Sequence, residues 1–460
     1  MDDRELQSLL EETTARLGIV GAQLALYDGT RLREFAAGWR NRELELPVTT
    51  ATLFQIGSTT KVFNAALIMT LVDEGRLDLD TPVAEYIPGF HLASFEAQTR
   101  VTLRQLLSMS GGLDSGSHHD YGAGDDALAR YVAALAAMPQ VFEPGTAFGY
   151  SNASSAVAGY AATCVMRQSW ESLLTERILR PLGLGQSALF PEDLLGHPVA
   201  LGYLQRGPGA SLERVPRWGL PRALAPAGAT LCSSAGDLVR FACMFLQDGT
   251  ALNGTRVLSK GAVNTMHAPR IKVLTQLMAQ DWCVGPYRKE WGGHEIYGHS
   301  GVNTGGSSEL LWCPQKRIAI ATTVNWPYQG LPLAEHIFDQ VFPGLFGISK
   351  PKPPDPQQLR APEALDLRLF TGRYEMLGGV AHVDLRGDRL FAAMDSDAMR
   401  RFGLASILES ELIPLGGGRF FPRDPAFSGN RSWDVAFWDA AGAGRPTHFL
   451  NGMNALRRTG

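Results

Sequence analysis

The chain has 460 residues, of which 45% are hydrophobic and 19% are charged. That apolar fraction is typical of globular proteins and excludes wholesale disorder, and the length predicts two or three domains. The 42 basic and 46 acidic residues give a net charge of −4, so the composition offers no basic excess for binding nucleic acid.

The beginning of the chain carries no pattern of a targeting segment. Residues Met1–Leu6 are acidic, and the apolar run of a secretory signal does not follow them. The longest apolar stretches, Ala65–Val72 and Ala156–Met166, are much shorter than the roughly 20 residues that span a bilayer. We therefore expect a cytoplasmic protein without a membrane partner.

The cysteines predict neither a disulfide framework nor a zinc site. Their number is odd, their surroundings are apolar, and no Cys-x-x-Cys spacing occurs, so we expect free buried thiols. The segment His118-His119-Asp120 contains metal-binding residue types, but it lies among Gly, Ser and Asp residues and favours a solvated loop. The sequence predicts no bound metal.

The periodicity of apolar residues outlines the first part of the chain. Helical spacing over Leu6–Leu17 predicts a surface helix, and the runs Val20–Tyr27 and Arg33–Trp39 predict a hairpin through Asp28-Gly29. Helical patterns then dominate, at Ala65–Glu74, Thr102–Met109, Asp126–Met138, Ser154–Met166, Leu173–Leu179 and Asp237–Leu246.

Strand patterns return late in this region. Ser308–Cys313 and Ile318–Val324 read as strands, and Leu333–Phe342 reads as a helix. Elements from both ends can thus form one antiparallel sheet around a helical insertion. Residues 1–346 are predicted to be an α+β domain of this kind.

A different pattern follows this domain. Residues 347–363 contain five prolines and predict a stiff linker. Residues 364–460 contain short alternating runs separated by Gly or Asp turns, which predict a small all-β barrel. The predicted runs are Phe370–Met376, Val380–Leu385, Arg389–Met394, Leu404–Leu408, Ser432–Trp438 and His448–Asn451.

Several common catalytic motifs are missing from the sequence. No Gly-x-x-x-x-Gly-Lys-Ser/Thr loop and no Gly-x-Gly-x-x-Gly fingerprint occurs, which argues against a nucleotide or dinucleotide cofactor. No Gly-x-Ser-x-Gly elbow occurs, which argues against an α/β-hydrolase. We expect no cofactor.

Ser58 and Lys61 stand at the start of an apolar helical run. Residues i and i+3 share a helix face, so the amine can reach the hydroxyl, and a desolvated Lys can act as its base. The helix start also supplies unpaired N–H groups and the positive end of a dipole, which stabilise an oxyanion. Ser349 and Lys352 have the same spacing, but they lie in the proline-rich linker.

Two further segments have residues suited to the same chemistry. Tyr150-Ser151-Asn152 follows a Pro-Gly turn, where a phenol can move protons and an amide can hold a carbonyl group. Tyr297-Gly298-His299-Ser300-Gly301-Val302 precedes the late strands. There His299 offers a titratable donor opposite Ser58, and Gly301 allows a close approach of substrate to the backbone.

As a set, Ser-x-x-Lys, Tyr-x-Asn and His-x-Gly resemble the motifs of the serine penicillin-recognising enzymes. The resemblance is to the branch with class C β-lactamases, D-aminopeptidases, esterases and carboxypeptidases, and it covers roughly residues 5–345. It implies a β-lactamase-like fold for the first domain. Supporting matches are Thr102–Leu113, Arg180–Leu184, Pro226–Thr230 and Ser234–Leu238.

The resemblance implies roles for individual residues. Ser58 would attack an acyl group, and Lys61 and Tyr150 would relay its proton. The backbone N–H groups of Ser58 and Val302 would form the oxyanion hole. Four residues of the second and third motifs would position the substrate: Asn152, His299, Ser300 and Gly301.

The third motif and the last domain narrow the expected reaction. The motif begins with His299 instead of the Lys usual in β-lactamases, which favours peptidases, esterases and acyltransferases. The C-terminal domain resembles the lipocalin-like barrels of some family members. Together with a cytoplasmic location, these features look most like penicillin-binding-protein-type thioesterases, which release and macrocyclise nonribosomal peptides. The barrel is then a candidate lid, from which Arg445 could hold substrate carbonyl groups.

This resemblance implies a small peptide or acyl substrate and a carrier protein of a peptide synthetase as partner. Other functions remain open at this point. A D-stereospecific aminopeptidase or amidase, or a carboxylesterase or acyltransferase, would use the same motifs. A binding or sensor protein that is acylated without turnover is a hypothesis of another class, although such a protein has no need of Lys61.

Overall fold

A computed structural model of the chain describes residues 1–205, 210–216, 218–327, 329–352, 355, 365–397, 407–424, 434–442 and 444–460. The helices are α1 (Asp3–Arg16), α2 (Thr60–Asp73), α3 (Phe95–Arg100), α4 (Leu103–Leu107), α5 (Ala127–Ala134), α6 (Asn152–Met166), α7 (Trp170–Leu174), α8 (Pro191–Leu194), α9 (Ala235–Leu246), α10 (Lys260–His267) and α11 (Gly330–Val341).

The strands form a large sheet, a barrel and two small sheets. Strands before the barrel are β1 (Gly21–Tyr27), β2 (Leu32–Asn41), β3 (Leu46–Pro47), β4 (Phe54–Gln55), β5 (Ser187–Ala188), β6 (Tyr203–Gln205), β7 (Leu212–Arg214), β8 (Cys232–Ser233), β9 (Ile271–Lys272), β10 (Asp281–Trp282), β11 (Tyr287–Trp291), β12 (His294–Asn303), β13 (Gly306–Cys313) and β14 (Ile318–Val324). The barrel strands are β15 (Gly372–Met376), β16 (Gly379–Arg386), β17 (Arg389–Ser396), β18 (Ile407–Gly416), β19 (Arg419–Pro422), β20 (Val435–Trp438), β21 (His448–Leu450) and β22 (Ala455–Arg458).

The large sheet joins the two ends of the first domain. Its nine strands run in the order β3-β2-β1-β14-β13-β12-β11-β10-β9, and all pairs are antiparallel. Strand β14 is buried throughout because helices cover both faces of the sheet. Ile320 packs with α1 and α11 on one face, and Ala319 and Ala321 pack with α9 on the other. The predicted α+β sheet with a helical insertion is confirmed.

Helix α2 occupies the centre of the helical layer. Twelve of its fourteen residues are buried, because apolar side chains surround the whole helix instead of forming one stripe. The ring of Phe63 in α2 stacks on the ring of Phe241 in α9, and α9 lies against the sheet. The start of α2 is therefore held rigidly beside β12.

The C-terminal strands β15 to β22 form a closed barrel in consecutive order. Alternate side chains fill its interior, among them Phe370, Tyr374 and Phe437. The predicted all-β barrel is confirmed, but six predicted runs were too few for eight strands. Strands β19 and β22 were missed, because each has one pair of adjacent apolar residues, which neither alternates with polar residues nor forms a longer apolar run.

The barrel packs directly on the first domain. Ala436, Leu450 and Ala455 of the barrel belong to the same apolar cluster as α1, α11 and one sheet face. The imidazole of His448 lies 2.8 Å from the carbonyl oxygen of Val141, and the two form a hydrogen bond. The boundaries of the linker at residues 347–363 stay a prediction, because 353–354 and 356–363 lie outside the described residues. Residues 404–406 of the predicted run Leu404–Leu408 and residues 432–433 of the predicted run Ser432–Trp438 also lie outside them.

Three other expectations concern sites and membranes. All five cysteines are free, as predicted, although Cys164 is only half-buried. Within the described ranges, no group of three or more His, Cys, Asp or Glu side chains is placed to hold a metal ion. None of the helices in the same ranges has both the length and the apolarity to cross a membrane.

Candidate active site

Ser58 and Lys61 are brought together by local backbone geometry. Residues Gly57–Thr59 form a 3₁₀ turn that leads directly into α2, and in such a turn positions i and i+3 lie above one another. Lys61 Nζ donates to Ser58 Oγ at 3.0 Å. The contact expected from the Ser-x-x-Lys spacing is therefore present, with the half-buried hydroxyl facing the cavity described below.

Lys61 is held in an environment that disfavours its charge. Its side chain is only 2% exposed, and its amine also donates to Asn152 Oδ1 at 2.8 Å and to the Ala227 carbonyl oxygen at 2.6 Å. Within the described part of the chain it has no carboxylate in ion-pair distance. Burial lowers the pKa of Lys61 well below its ordinary value, so a neutral amine that can accept a proton is accessible.

The ring of Tyr150 packs against the amine of Lys61. It stands just before Ser151, the N-cap of α6, whose Oγ accepts from Ser154 N. The Tyr150 ring is 7% exposed, and its centroid lies 4.8 Å from Lys61 Nζ. Tyr150 therefore lies on a loop, as expected. Its ring is next to the amine of Lys61 and at the cavity wall.

Asn152, the first residue of α6, lies between Lys61 and the cavity. Its Oδ1 accepts the hydrogen bond from Lys61, and its side chain lines the cavity. Asn152 of the Tyr-x-Asn motif is therefore in direct contact with Lys61 of the Ser-x-x-Lys motif. An amide in this position fixes the direction of the amine lone pair in addition to any contact with substrate.

Three glycines let separate backbone segments converge beside Ser58. A Cβ on Gly57 would lie 2.5 Å from the Val302 nitrogen, and a Cβ on Gly301 would lie 2.9 Å from the Ser58 nitrogen. A Cβ on Gly228, at φ +118°, would lie 2.8 Å from the same Ser58 nitrogen. No other residue fits these contacts. The backbone N–H groups expected to form an oxyanion hole thus lie in adjoining segments at the cavity wall.

His299 does not occupy the place expected from the sequence. Its side chain is 1% exposed and is not part of the cavity wall. The ring packs between Trp282, Tyr287 and Tyr150, at centroid distances of 5.5, 6.2 and 6.1 Å. Its Nδ1 donates to the Ser300 carbonyl oxygen at 2.6 Å. His299 thus contacts Tyr150 from the core side, and its expected contact with substrate stays a prediction.

The burial of His299 makes stability depend on pH. Burial, reinforced by nearby Lys61, lowers the pKa of His299 from 6.5 to about 3. Between these values the unfolded chain binds a proton that the folded chain excludes. Stability should therefore fall as pH drops below about 6.5, by about 1.4 kcal/mol per pH unit for this group.

We expect His299→Gln to lose less melting temperature between pH 7 and pH 5 than the wild-type protein does, as measured by scanning fluorimetry. His119→Gln, which changes an exposed histidine of the cavity wall, is the matched control. Equal losses in the wild type and the His299 variant would contradict this prediction.

A cavity of about 810 Å³ opens in front of Ser58. Its walls come from several regions that are distant in sequence, and one of them lies between Leu204 and Ala229. Ser300, Gly301 and Val302 line it from β12, as expected, and residues 115–120 line it from the loop after α4. The barrel contributes another part of the wall, through Met376, Leu377, Gly378, Ser396, Asp397, Met453 and Asn454.

The sequence did not indicate which barrel residues reach the cavity. Arg445, the expected one, is exposed in the segment before β21 and is absent from the cavity wall. The loop with His118-His119-Asp120 is irregular, as predicted, but it forms part of the cavity instead of a remote solvated surface. No periodicity or motif marks these positions, because only the docking of the two domains brings them to Ser58.

Comparisons with known proteins agree with this architecture. The family description "Beta-lactamase" matches residues 6–340. "Penicillin-binding protein 4" of Amycolatopsis lactamdurans is 36% identical over 364 residues, which cover 78% of this chain and 94% of that protein.

Solved structures extend the similarity to the barrel. The structure of SurE covers 99% of both chains with 28% identity and a TM-score of 0.80, and SurE with D-Leu gives 27% identity and 0.78. D-amino acid amidase from Ochrobactrum anthropi SV3 covers 73% of this chain and 97% of its own with 23% identity and a TM-score of 0.61, a similarity of fold. The chain belongs to the beta-lactamase family, with penicillin-binding-protein-type proteins among its relatives.

Proposed function

We propose that this chain is a serine acyl-enzyme catalyst that releases a nonribosomal peptide from its thioester and closes it into a ring. One observation carries the first half of this proposal. The buried amine of Lys61 lies 3.0 Å from Ser58 Oγ at the wall of a large cavity. Members of the beta-lactamase fold family work as serine hydrolases or acyltransferases, which accords with such a pair.

Acylation would proceed by proton transfer to Lys61. Ser58 Oγ attacks the carbonyl carbon of the thioester while its proton moves to the neutral amine. The oxyanion is stabilised by the backbone N–H groups of Ser58 and Val302. The C–S bond then breaks, and the proton passes through Lys61 and Tyr150 to the departing thiolate. The products are an ester on Ser58 and a free thiol, which a carrier protein would retain.

Ring closure would follow from the shape of the cavity. Barrel residues form one side of the space in front of Ser58, and a bound peptide that fills this space would limit the access of water. An amine on the same peptide has a high effective concentration at the ester, whereas water must enter from outside. The amine attacks the ester carbon, its proton returns to Ser58 Oγ, and the cyclic amide leaves. The complex of SurE with D-Leu supports a D-residue at the acyl end.

The charges on the cavity wall suit a second function as well, that of a D-stereospecific aminopeptidase or amidase. Asp120 and Asp397 line the cavity, both exposed to it from opposite domains. Carboxylates in this position attract an ammonium group. In a cyclase this group is the distant peptide amine, and in an aminopeptidase it is the α-ammonium of the residue that acylates Ser58.

The test uses linear peptidyl thioesters of several lengths with a D-residue at the acyl end. We expect mainly ring product by liquid chromatography and mass spectrometry, and loss of turnover when the acyl residue is the L-enantiomer. An acetylated N-terminus removes the nucleophile, so the matched blocked peptide should give linear acid or no product.

Three results would contradict the cyclase function in different ways. Linear acid from every peptide, with rapid cleavage of simple D-amino-acid amides, would assign the aminopeptidase function. Rapid turnover of simple esters with no preference for D-residues would assign an esterase. A stoichiometric burst without turnover would assign an acylated binding protein.

A further inference from the structure

Both polar backbone groups of Tyr150 are bonded to the barrel. Its N–H donates to the Met453 carbonyl oxygen at 2.9 Å, and its carbonyl oxygen accepts from Asn454 Nδ2 at 3.0 Å. Met453 and Asn454 lie in the turn between β21 and β22, and both also line the cavity. The barrel therefore contacts the same residue that lies against Lys61.

The turn itself is braced. Asn451 Oδ1 accepts from the backbone N–H of Asn454 at 2.9 Å, which closes the turn. Thr275 Oγ1 of the first domain donates to the Gly452 carbonyl oxygen at 2.8 Å. The bond from Asn454 to Asn451 closes the turn by itself, so Asn454 is presented to Tyr150 from within the turn, and the Thr275 bond is a separate contact to the first domain.

The loop before Tyr150 and the barrel strand β22 are packed closely together. A Cβ on Gly149 would lie 2.7 Å from the Phe142 ring and 3.1 Å from the Cβ of Ala455, the first residue of β22. A larger residue at position 149 would clash with the Phe142 ring and would press on Ala455 of the barrel. The backbone just before Tyr150 is therefore in direct contact with the barrel.

A second barrel turn holds the residue after Tyr150. The N–H of Leu377 donates to Asp114 Oδ2 at 2.8 Å, and the Asp114 carbonyl oxygen accepts from Ser151 Oγ at 2.8 Å. Ser151 is the N-cap of α6, so this chain of bonds fixes the start of the helix. Two barrel turns thus bracket Tyr150.

We propose that Asn454 is a positioning residue that sets the place of Tyr150 beside Lys61, so that the barrel is a working part of the acylation site. The proposal rests on the proposed function, in which Tyr150 relays the proton of Ser58. Displacement of a proton-transferring group by about 1 Å can cost 10²-fold in rate. Loss of one neutral hydrogen bond to its backbone should cost about tenfold.

The experiment compares two neutral, nearly isosteric substitutions at the same domain interface. Asn454→Leu removes the bond to Tyr150, and Thr275→Val removes the bond to Gly452, which does not touch Tyr150. A small fluorophosphonate serves as the probe, because it needs none of the outer cavity. The labelling rate of Ser58 is measured against pH. Hydrogen exchange of a peptide covering residues 147–153 is measured by mass spectrometry, and melting temperatures show whether each variant is folded.

We expect Asn454→Leu to be labelled about tenfold more slowly, with a shifted midpoint of the rate against pH and faster exchange in residues 147–153. Thr275→Val should stay within about twofold of wild type, with an unchanged midpoint. Equal effects of the two variants, or wild-type exchange and labelling in Asn454→Leu, would overturn the proposal. A wild-type chain that is not labelled at Ser58 would contradict the proposed function instead, and the exchange measurement would still decide the role of Asn454.

Discussion

Ser58→Ala should abolish covalent labelling by a fluorophosphonate or a penicillin, and with it all turnover of peptidyl thioesters. The hydroxyl is the only group of Ser58 that can form the acyl bond, and its donor, Lys61, cannot replace it as a covalent acceptor because its amine is buried behind the serine. The alanine variant keeps the 3₁₀ turn Gly57–Thr59, which uses no side-chain hydrogen bond at its start. Intact-mass spectrometry of the probe-treated proteins checks this result.

The chain contains its own matched control. Ser349 stands three residues before Lys352 with the same spacing, but both are exposed and the backbone there is not helical, so the amine is not brought onto the hydroxyl. Ser349→Ala should therefore be labelled like the wild type. An adduct of unchanged mass on the Ser58 variant would show that another residue is the nucleophile.

Lys61→Arg should lower the acylation rate by a factor on the order of 10² or more, the range for a lost general base. The guanidinium keeps a positive charge but does not give up its proton near neutral pH, so it cannot accept one from Ser58. In the wild type the neutral amine is the base. Acylation should therefore rise with pH as Lys61 loses its proton, and this rise should occur well below the ordinary pKa of lysine because burial lowers the pKa of Lys61.

Single-turnover labelling between pH 5 and pH 9 measures both the rate and this profile. The Lys61 site is 2% exposed, so the larger arginine can disturb packing, and Lys61→Met provides an unbranched apolar side chain as the second variant. Circular dichroism and melting temperature establish folding for each. Acylation of the folded Lys61→Arg variant at a near-wild-type rate would leave Lys61 with an electrostatic role only.

The sheet shows which elements can be predicted from sequence and which cannot. The run Ile318–Val324 appears as β14 with the same bounds, because a buried strand of β-branched and small apolar residues has a strong local signal. Strand β12 was not predicted, although it carries the third motif. Its two glycines and its polar residues break the apolar pattern, and its position is set by pairing with β11 and β13.

The sequence by itself determined the contact between Ser58 and Lys61, since positions three apart in a helical turn are neighbours whatever the rest of the chain does. It also determined, through the resemblance of three motifs, which tyrosine and which asparagine join them. Only the tertiary structure decided the burial of His299 and the hydrogen bond from Asn454 to the Tyr150 carbonyl oxygen. The residues Tyr150 and Asn454 are 304 positions apart, and no local preference of the backbone encodes a hydrogen bond that forms only when two domains dock.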